Sequence, residues 1–194
     1  MKTSEKGRAA IVALEGVATR AYLCPAGIWT IGVGHTSAAG PPAVAEGMTI
    51  TRAEAEAILG RDLARFEARV AAALGEVPQH VFDGAVSFDF NCGAIERASW
   101  VREFRAGDRA GAEAGLKQWV KAGGRTLPGL VRRREIEADM IFRGIYPAAV
   151  EDPRERIMAD QRALARLGFY AGPIDGLAGP ATREAVRAFQ AKAG

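Results

Sequence analysis

Residues 15–36 read EGVATRAYLCPAGIWTIGVGHT, and the way this stretch joins the residues before it decides the fold. Upstream, Ser4 can cap a helix in which Ala10, Ile11 and Leu14 share one face, and Gly16, which tolerates left-handed geometry, is placed to end it. Glu15 then falls in the last helical turn. From Ala21 to His35 the composition turns to aromatic and β-branched residues around Pro25-Ala26-Gly27, the pattern of a hairpin or a short twisted sheet. Strand alternation places Ile28, Thr30 and Gly32 on one face and Trp29, Ile31 and Val33 on the other. Gly27, Gly32 and Gly34 keep the backbone tightly turned and open to approach.

Beyond this stretch, an Ala-, Gly- and Pro-rich loop spans Ser37 to Gly47. Thr51-Arg52-Ala53-Glu54 is a capping box that predicts one long helix burying Ala55, Ile58, Leu59, Phe66 and Val70. Pro78 to Gly129 predicts several short helices broken at Gly93, Gly107 and Gly123-Gly124, with Trp100, Phe104, Leu116 and Trp119 in the core. A last helix of the main body is expected from about Leu130 to Phe142. Two prolines and two acidic residues make 147–153 a linker. After it, 154–194 form a second unit in which Leu164, Leu167 and Phe169 precede a turn at Gly172 to Gly176, and Ala185, Val186 and Phe189 follow on a helix. The expected architecture is α+β, mainly α: a body over 1–146 with a small β-hairpin lobe, and a short helical C-terminal unit whose core is marginal by itself.

The chain has 194 residues and a formal net charge of +3, from 26 Lys and Arg against 23 Asp and Glu. That excess favours an anionic polymer or surface as partner. Outside Arg132, Arg133 and Arg134 the basic residues form no tract, and no aromatic and basic interleaving marks a strand-binding groove, which disfavours nucleic acid. Two cysteines are too few for a disulfide framework and sit in no metal-ligand pattern, so no metal or cofactor is expected. The longest N-terminal apolar run, Ala9 to Leu14, is far short of a membrane span. Neither an export signal nor an anchor is read.

The run Glu15-Gly16, Ala21-Tyr22, Gly27, Trp29 to Gly32 and Gly34-His35-Thr36 closely resembles the opening signature of the phage T4-type lysozymes, glycoside hydrolase family 24. That family's glutamate is followed by Asp or Cys and then by Thr at the spacing of Glu15, Cys24 and Thr30. The resemblance continues through Phe88 to Gly93, Ala106 to Asp108, and Trp119 to Glu135, covering about residues 5 to 143. It implies a two-lobed lysozyme-like fold and a monomeric N-acetylmuramidase. Such an endolysin hydrolyses the β-1,4 bond between N-acetylmuramic acid and N-acetylglucosamine in peptidoglycan and needs no cofactor.

Glycoside hydrolysis needs a proton donor for the leaving oxygen and a group opposite it that positions or activates water. The resemblance assigns the first task to Glu15, where the negative end of its helix and partial burial under the hairpin favour a carboxyl that keeps its proton. It implies that Thr30 holds the water and that Cys24 belongs to the site. As residues, Cys24 could equally be a half-buried apolar filler or half of a disulfide with Cys92. Without a second carboxylate at position 24, an inverting reaction is expected by analogy. Gly34, His35, Phe90 and Asn91 are expected along the bound glycan, with Asn91 able to bond a sugar amide. His35 could serve as a base, but its family position implies an ion pair with Asp62 outside the reaction. Of the three arginines, Arg132 or Arg133 is expected to approach Glu15, favouring its ionised form, and the other two to be solvated.

Gly168 through Gln190 resembles a three-helix peptidoglycan-binding domain whose third helix would lie past Gly194, so this unit is expected to be incomplete. The alternatives are a lytic transglycosylase on the same bond and a noncatalytic wall-binding protein. Without a leader, such an enzyme is expected to wait in the host cytoplasm for a holin-like release to the wall.

Overall fold

The computed structural model describes residues 1–148 and 153–193. The chain divides into two compact units, 1–149 and 150–194. Most of the expected linker, 149–152, lies outside the described residues.

In the first unit, α1 (Glu5–Glu15) leads into an antiparallel sheet of β1 (Ala18–Leu23), β2 (Trp29–Gly32) and β3 (His35–Thr36), in that spatial order. There follow α2 (Arg52–Asp62), α3 (Ala64–Leu74), α4 (Gln79–Cys92), α5 (Ser99–Arg105) and α6 (Arg109–Leu116). A two-stranded ribbon, β4 (Lys121–Ala122) and β5 (Arg125–Thr126), precedes α7 (Pro128–Ala138), which runs on through a π-helical turn over Asp139–Arg143.

The start of α1 is fixed by its cap: the Ser4 hydroxyl accepts from the Gly7 amide at 3.0 Å. Gly16 ends it with φ 78°, a value costly for any residue with a Cβ, and the chain turns there into β1. Glu15 is thereby left at the junction of helix and sheet.

The core of the unit is α4. Every residue from Val81 to Asp89 is buried, because α1, α3, α7 and the π turn surround it. Gly84 permits a close approach of the π turn, since a Cβ there would stand 2.5 Å from Ile141. Phe82, Phe88 and Trp100 are fully buried, each contributing about 1.5–3 kcal/mol by the transfer scale. Buried polar residues on α4 are all engaged: Asp83 accepts from the Ser4 amide at 2.9 Å and Tyr146 at 2.7 Å, and Asp89 from Arg69 at 2.8 Å.

Several expectations are corrected. The long helix after Thr51 is two helices, turning over at Leu63, which is fully buried. The break lets Leu63 and Phe66 pack inward while Asp62 and Arg65 face the sheet side. The capping box itself is present, with both Thr51 and Glu54 bonds formed. Between Pro78 and Gly129 the first helix is 14 residues and central rather than short, and Gly123-Gly124 is the turn of the β4–β5 ribbon rather than a helix break. Strand β2 shows no alternation of burial, because it is the central strand and Gly32 packs on Ala55 of α2.

The second unit holds α8 (Pro153–Arg166) and α9 (Pro180–Ala193) around Leu164, Tyr170 and Ala185. Gln161, fully buried, donates to Asp175 at 2.9 Å and Thr182 at 3.0 Å and accepts from the Gly176 amide at 3.0 Å, holding the intervening turn. Leu167 is exposed. The chain leaves α8 at Gly168 with φ 78°, and Phe169 packs against the core.

Candidate active site

Glu15 closes α1 with its side chain 29% exposed, and its Oε1 lies 2.5 Å from Nη1 of Arg133 on α7. Arg133 is held from behind. Its Nε donates to Glu137 at 3.0 Å, one turn on, and its Nη2 to the Ser87 carbonyl of α4 at 3.1 Å. The Ser87 hydroxyl also donates to Glu137, at 2.8 Å. Glu137 is fully buried and pairs through its other oxygen with Arg134. Burial pushes the Glu137 carboxyl up, and the two guanidiniums and the Ser87 hydroxyl oppose that push.

Arg134 in turn donates to Asn91 and to the Trp119 carbonyl at 3.1 Å, with its guanidinium 5.0 Å above the Phe88 ring. Only Arg132 is solvated. The expectation of two solvated arginines fails because Glu137, four residues after Arg133 and three after Arg134, gives both a buried partner.

A cleft of about 360 Å³ opens beside Glu15. The β2–β3 segment contributes Gly34 and Thr36 to it, the α2–α3 junction Asp62, Arg65 and Phe66, and the end of α4 Phe90 and Asn91. Gly34 has φ 75° and nothing within 4 Å of where a Cβ would sit, so its bare backbone faces the opening. Phe66 and Phe90 meet edge to face at 5.1 Å, and Arg65 and Arg69 lie 4.8 and 4.9 Å over the Phe66 ring. Because the Asn91 carbonyl oxygen is taken by Arg134, its NH₂ is the group left to donate to a ligand. A larger concavity, about 680 Å³, lies between α3 and α5, away from these residues.

Cys24 and Thr30 do not line the cleft, and it is Thr30 that adjoins a residue that does. Register pairs Tyr22 with Thr30 and Thr30 with Thr36, so the three side chains share a face of the sheet, and Thr36 borders the cleft. Thr30 is 4% exposed and its hydroxyl donates to the Ile28 carbonyl at 3.0 Å, which leaves its oxygen as an acceptor. Cys24 is half-buried at the hairpin turn. The Ile28 and Ala26 backbone hydrogen-bonds its sulfur and holds the thiol below the ordinary value. Cys24 and Cys92 are both free, which removes the disulfide alternative. Burial pushes the Cys92 thiol up to about 11, and the sulfur donates to the Phe88 carbonyl.

His35 is 1% exposed with both ring nitrogens occupied, Nδ1 by Asp62 at 2.8 Å and Nε2 by the Pro42 carbonyl at 2.9 Å. It ties the loop after β3 to α2 and presents no free nitrogen to a ligand. The residues sequence reasoning missed are Ser87, Arg134 and Glu137 behind Arg133, and Arg65 and Thr36 in the cleft. The signal for Glu137 was present in its helical spacing from the two arginines.

Comparisons with known proteins identify the family. The phage lysozyme family matches residues 12–137, and the peptidoglycan binding domain family matches residues 153–194. An endolysin of Acyrthosiphon pisum secondary endosymbiont phage 1 is 39% identical over 145 residues, covering 71% of this chain and 95% of the relative. Among solved structures, an endolysin from the Escherichia coli phage FAHEc1 superposes with TM-score 0.68 at 36% identity, covering 76% of this chain and 97% of that one. The muramidase domain of SpmX from Asticaccaulis excentricus superposes with TM-score 0.65 at 30% identity, covering 73% and 97%. With a glutamate closing the first helix, a three-stranded lobe beside it and a match over most of its length, the chain belongs to the phage lysozyme family.

Proposed function

We propose that this protein is an endolysin that hydrolyses the β-1,4 bond between N-acetylmuramic acid and N-acetylglucosamine in peptidoglycan, with Glu15 as its acid. The observation that carries the reading is Glu15 at the cleft edge, braced by Arg133 at 2.5 Å and adjoining a sheet face that carries Thr30. Glu15 gives its proton to the leaving glycosidic oxygen. Arg133 then stabilises the carboxylate that remains, and its bonds to Glu137 and Ser87 keep it from following the ligand.

The attacking water is held by the Thr30 oxygen. As its O–C bond forms at the anomeric carbon, its proton passes to solvent water, and Cys24 stands at the hairpin turn next to Thr30. A single displacement of this kind inverts the anomeric centre. Gly34, Phe90 and Asn91 border the glycan, and His35 with Asp62 fixes β3, which carries Thr36, against α2. The reaction calls on no metal or cofactor. The second unit binds the wall, and the enzyme works as a monomer. No helix among the described residues is long and apolar enough to cross a membrane; we infer that the enzyme waits in the host cytoplasm and that a separate holin-like route admits it to the wall.

Mass analysis of soluble products from purified peptidoglycan tests this. Hydrolysis yields reducing muramic acid ends, a lytic transglycosylase yields anhydro ends lighter by one water, and a wall-binding protein without activity yields no fragments. A beta-configured product at the first turnover would overturn the inverting step alone.

A further inference from the structure

Glu15, Asp62 and Arg65 are the ionisable side chains that line the cleft among the described residues. Two of them have partners within the chain: Glu15 meets Arg133 at 2.5 Å, and Asp62 meets His35 at 2.8 Å. Arg65, in the first turn of α3, is exposed, and its guanidinium forms no ion pair or hydrogen bond among the described residues.

The guanidinium is nevertheless held at the cleft wall. It lies 4.8 Å over the ring of Phe66, and that ring is itself fixed, 7% exposed and edge to face with Phe90 at 5.1 Å. Stacking restrains the plane of the arginine and leaves its N–H edge free to bond outward. Arg69, one turn on, lies 4.9 Å from the same ring, so two like charges crowd one aromatic side chain. Asp89 neutralises Arg69 at 2.8 Å, whereas no carboxylate among the described residues does the same for Arg65. An anion brought by a ligand in the cleft would complete the arrangement.

We propose that Arg65 is a specificity-determining residue that binds the carboxylate borne by the muramyl sugars of the strand in the cleft. The inference rests on the muramidase reading above. Along such a strand the N-acetylglucosamine units are neutral, while each muramyl unit carries a lactyl group whose carboxylate is either free or extended by an acidic peptide stem. Asn91 can bond an acetamido group that both sugars have. Arg65 responds to a charge that only one of them carries, and its planar fork matches a carboxylate through two parallel hydrogen bonds.

The test compares the full-length protein with Arg65→Gln and Arg65→Lys on three soluble substrates. These are strands that carry their stems, strands from which an amidase has removed the stems and left the lactyl carboxylate free, and stem-bearing strands whose carboxylates have been converted to methylamides. Arg65→Gln should raise KM about fivefold on strands with a free carboxylate, the upper worth of an exposed charge pair, with kcat unchanged and the difference fading at high salt. A rise on the stem-bearing strands alone places the carboxylate in the stem, a rise on the stripped strands alone places it on the lactyl group, and a rise on both means that either serves. Methylamidated strands should be cleaved alike by both proteins, and Arg65→Lys should recover part of the loss on charged ones. A KM that rises equally on all three substrates, as lost packing on Phe66 would give, or on none, overturns the proposal. Calorimetry of the same strands with Glu15→Gln, and with Glu15→Gln combined with Arg65→Gln, reads binding without turnover. If binding there depends on Arg65 and on the carboxylate while the wild type releases no fragments, the carboxylate site stands and the muramidase reading falls.

Discussion

Arg133 and Glu15 are 118 positions apart in sequence, yet Nη1 of the one lies 2.5 Å from Oε1 of the other, because Glu137 and Ser87 anchor the guanidinium from inside the helical body. The acid proposed for catalysis is thus positioned by a charge that is itself positioned by a buried one. Removing a single partner from such a network leaves the others unpaired in a poorly polarisable interior.

Glu137→Ala is therefore expected to destabilise the fold by about 3–5 kcal/mol, the cost of stranding Arg133 and Arg134 without their buried counterion. Urea unfolding would show a lowered midpoint with an unchanged slope. A midpoint within error of the wild type would mean that the two arginines find other acceptors at no cost.

Arg133→Lys keeps a positive charge but not the fork that reaches Glu15, Glu137 and Ser87 together. We expect a folded protein whose lysis of walls falls by about tenfold or more, in line with the sensitivity of catalysis to displaced groups. Undiminished lysis would show that Glu15 needs the charge alone, or not at all.

The two thiols should separate by pH. Cys24, held below the ordinary thiol value, should react first with a disulfide reagent, and its rate should level off before that of a free cysteine does. Cys92, pushed up to about 11, should stay slow through neutral pH. Its raised folded value also fixes a sign: the stability it contributes is complete below the unfolded thiol value of about 9 and is lost as pH climbs from there towards about 11. Blocking Cys24 should slow lysis, since a bulky adduct would sit beside Thr30. Equal reactivity of the two sites in the folded protein would contradict this picture.

His35→Asn should cost about 2 kcal/mol, because the hydrogen bonds to Asp62 and to the Pro42 carbonyl both lose their partner in a site with almost no solvent. A thermal melt would register the loss. Cleavage by the variant at a temperature where it remains folded should change far less than its stability, and a collapse of activity in a fully folded variant would place His35 in the reaction after all.

How much of this was legible in the sequence depended on whether the cause was local. Ser4, Gly16 and the Thr51 box act within one turn of chain, and their elements lie where local chemistry predicts. The small lobe was legible for the same reason, through its turn residues and β-branched run. The break at Leu63 was not, because it is imposed by what Leu63 and Phe66 pack against, and neither residue disfavours a continuous helix. Gly123-Gly124 reads equally well as a helix stop or a hairpin turn, and only the pairing of Lys121 with Thr126 decides it. In the site, family spacing singled out Glu15, Cys24 and Thr30, but which arginine meets Glu15 depends on the rotation of α7 against α4. The same rotation buries Arg134, which composition alone places in solvent.

Loss of residues 148–194 should weaken sedimentation with sacculi while leaving cleavage of short soluble glycan fragments nearly intact, because a linked binding unit chiefly raises the local concentration of substrate. Sedimentation as strong as that of the full chain would show that the second unit adds no wall affinity. Unfolding of the shortened chain would make it a brace for the first unit.

The most direct test of the whole account is the release of reducing ends from purified peptidoglycan by wild type and Glu15→Gln, measured side by side with circular dichroism of each. The substitution keeps the shape and hydrogen-bonding capacity of the side chain and removes only its transferable proton. The account predicts an unchanged fold and a rate lowered by about 100-fold or more, the usual worth of a general acid. A folded Glu15→Gln protein that releases reducing ends at the wild-type rate would contradict it.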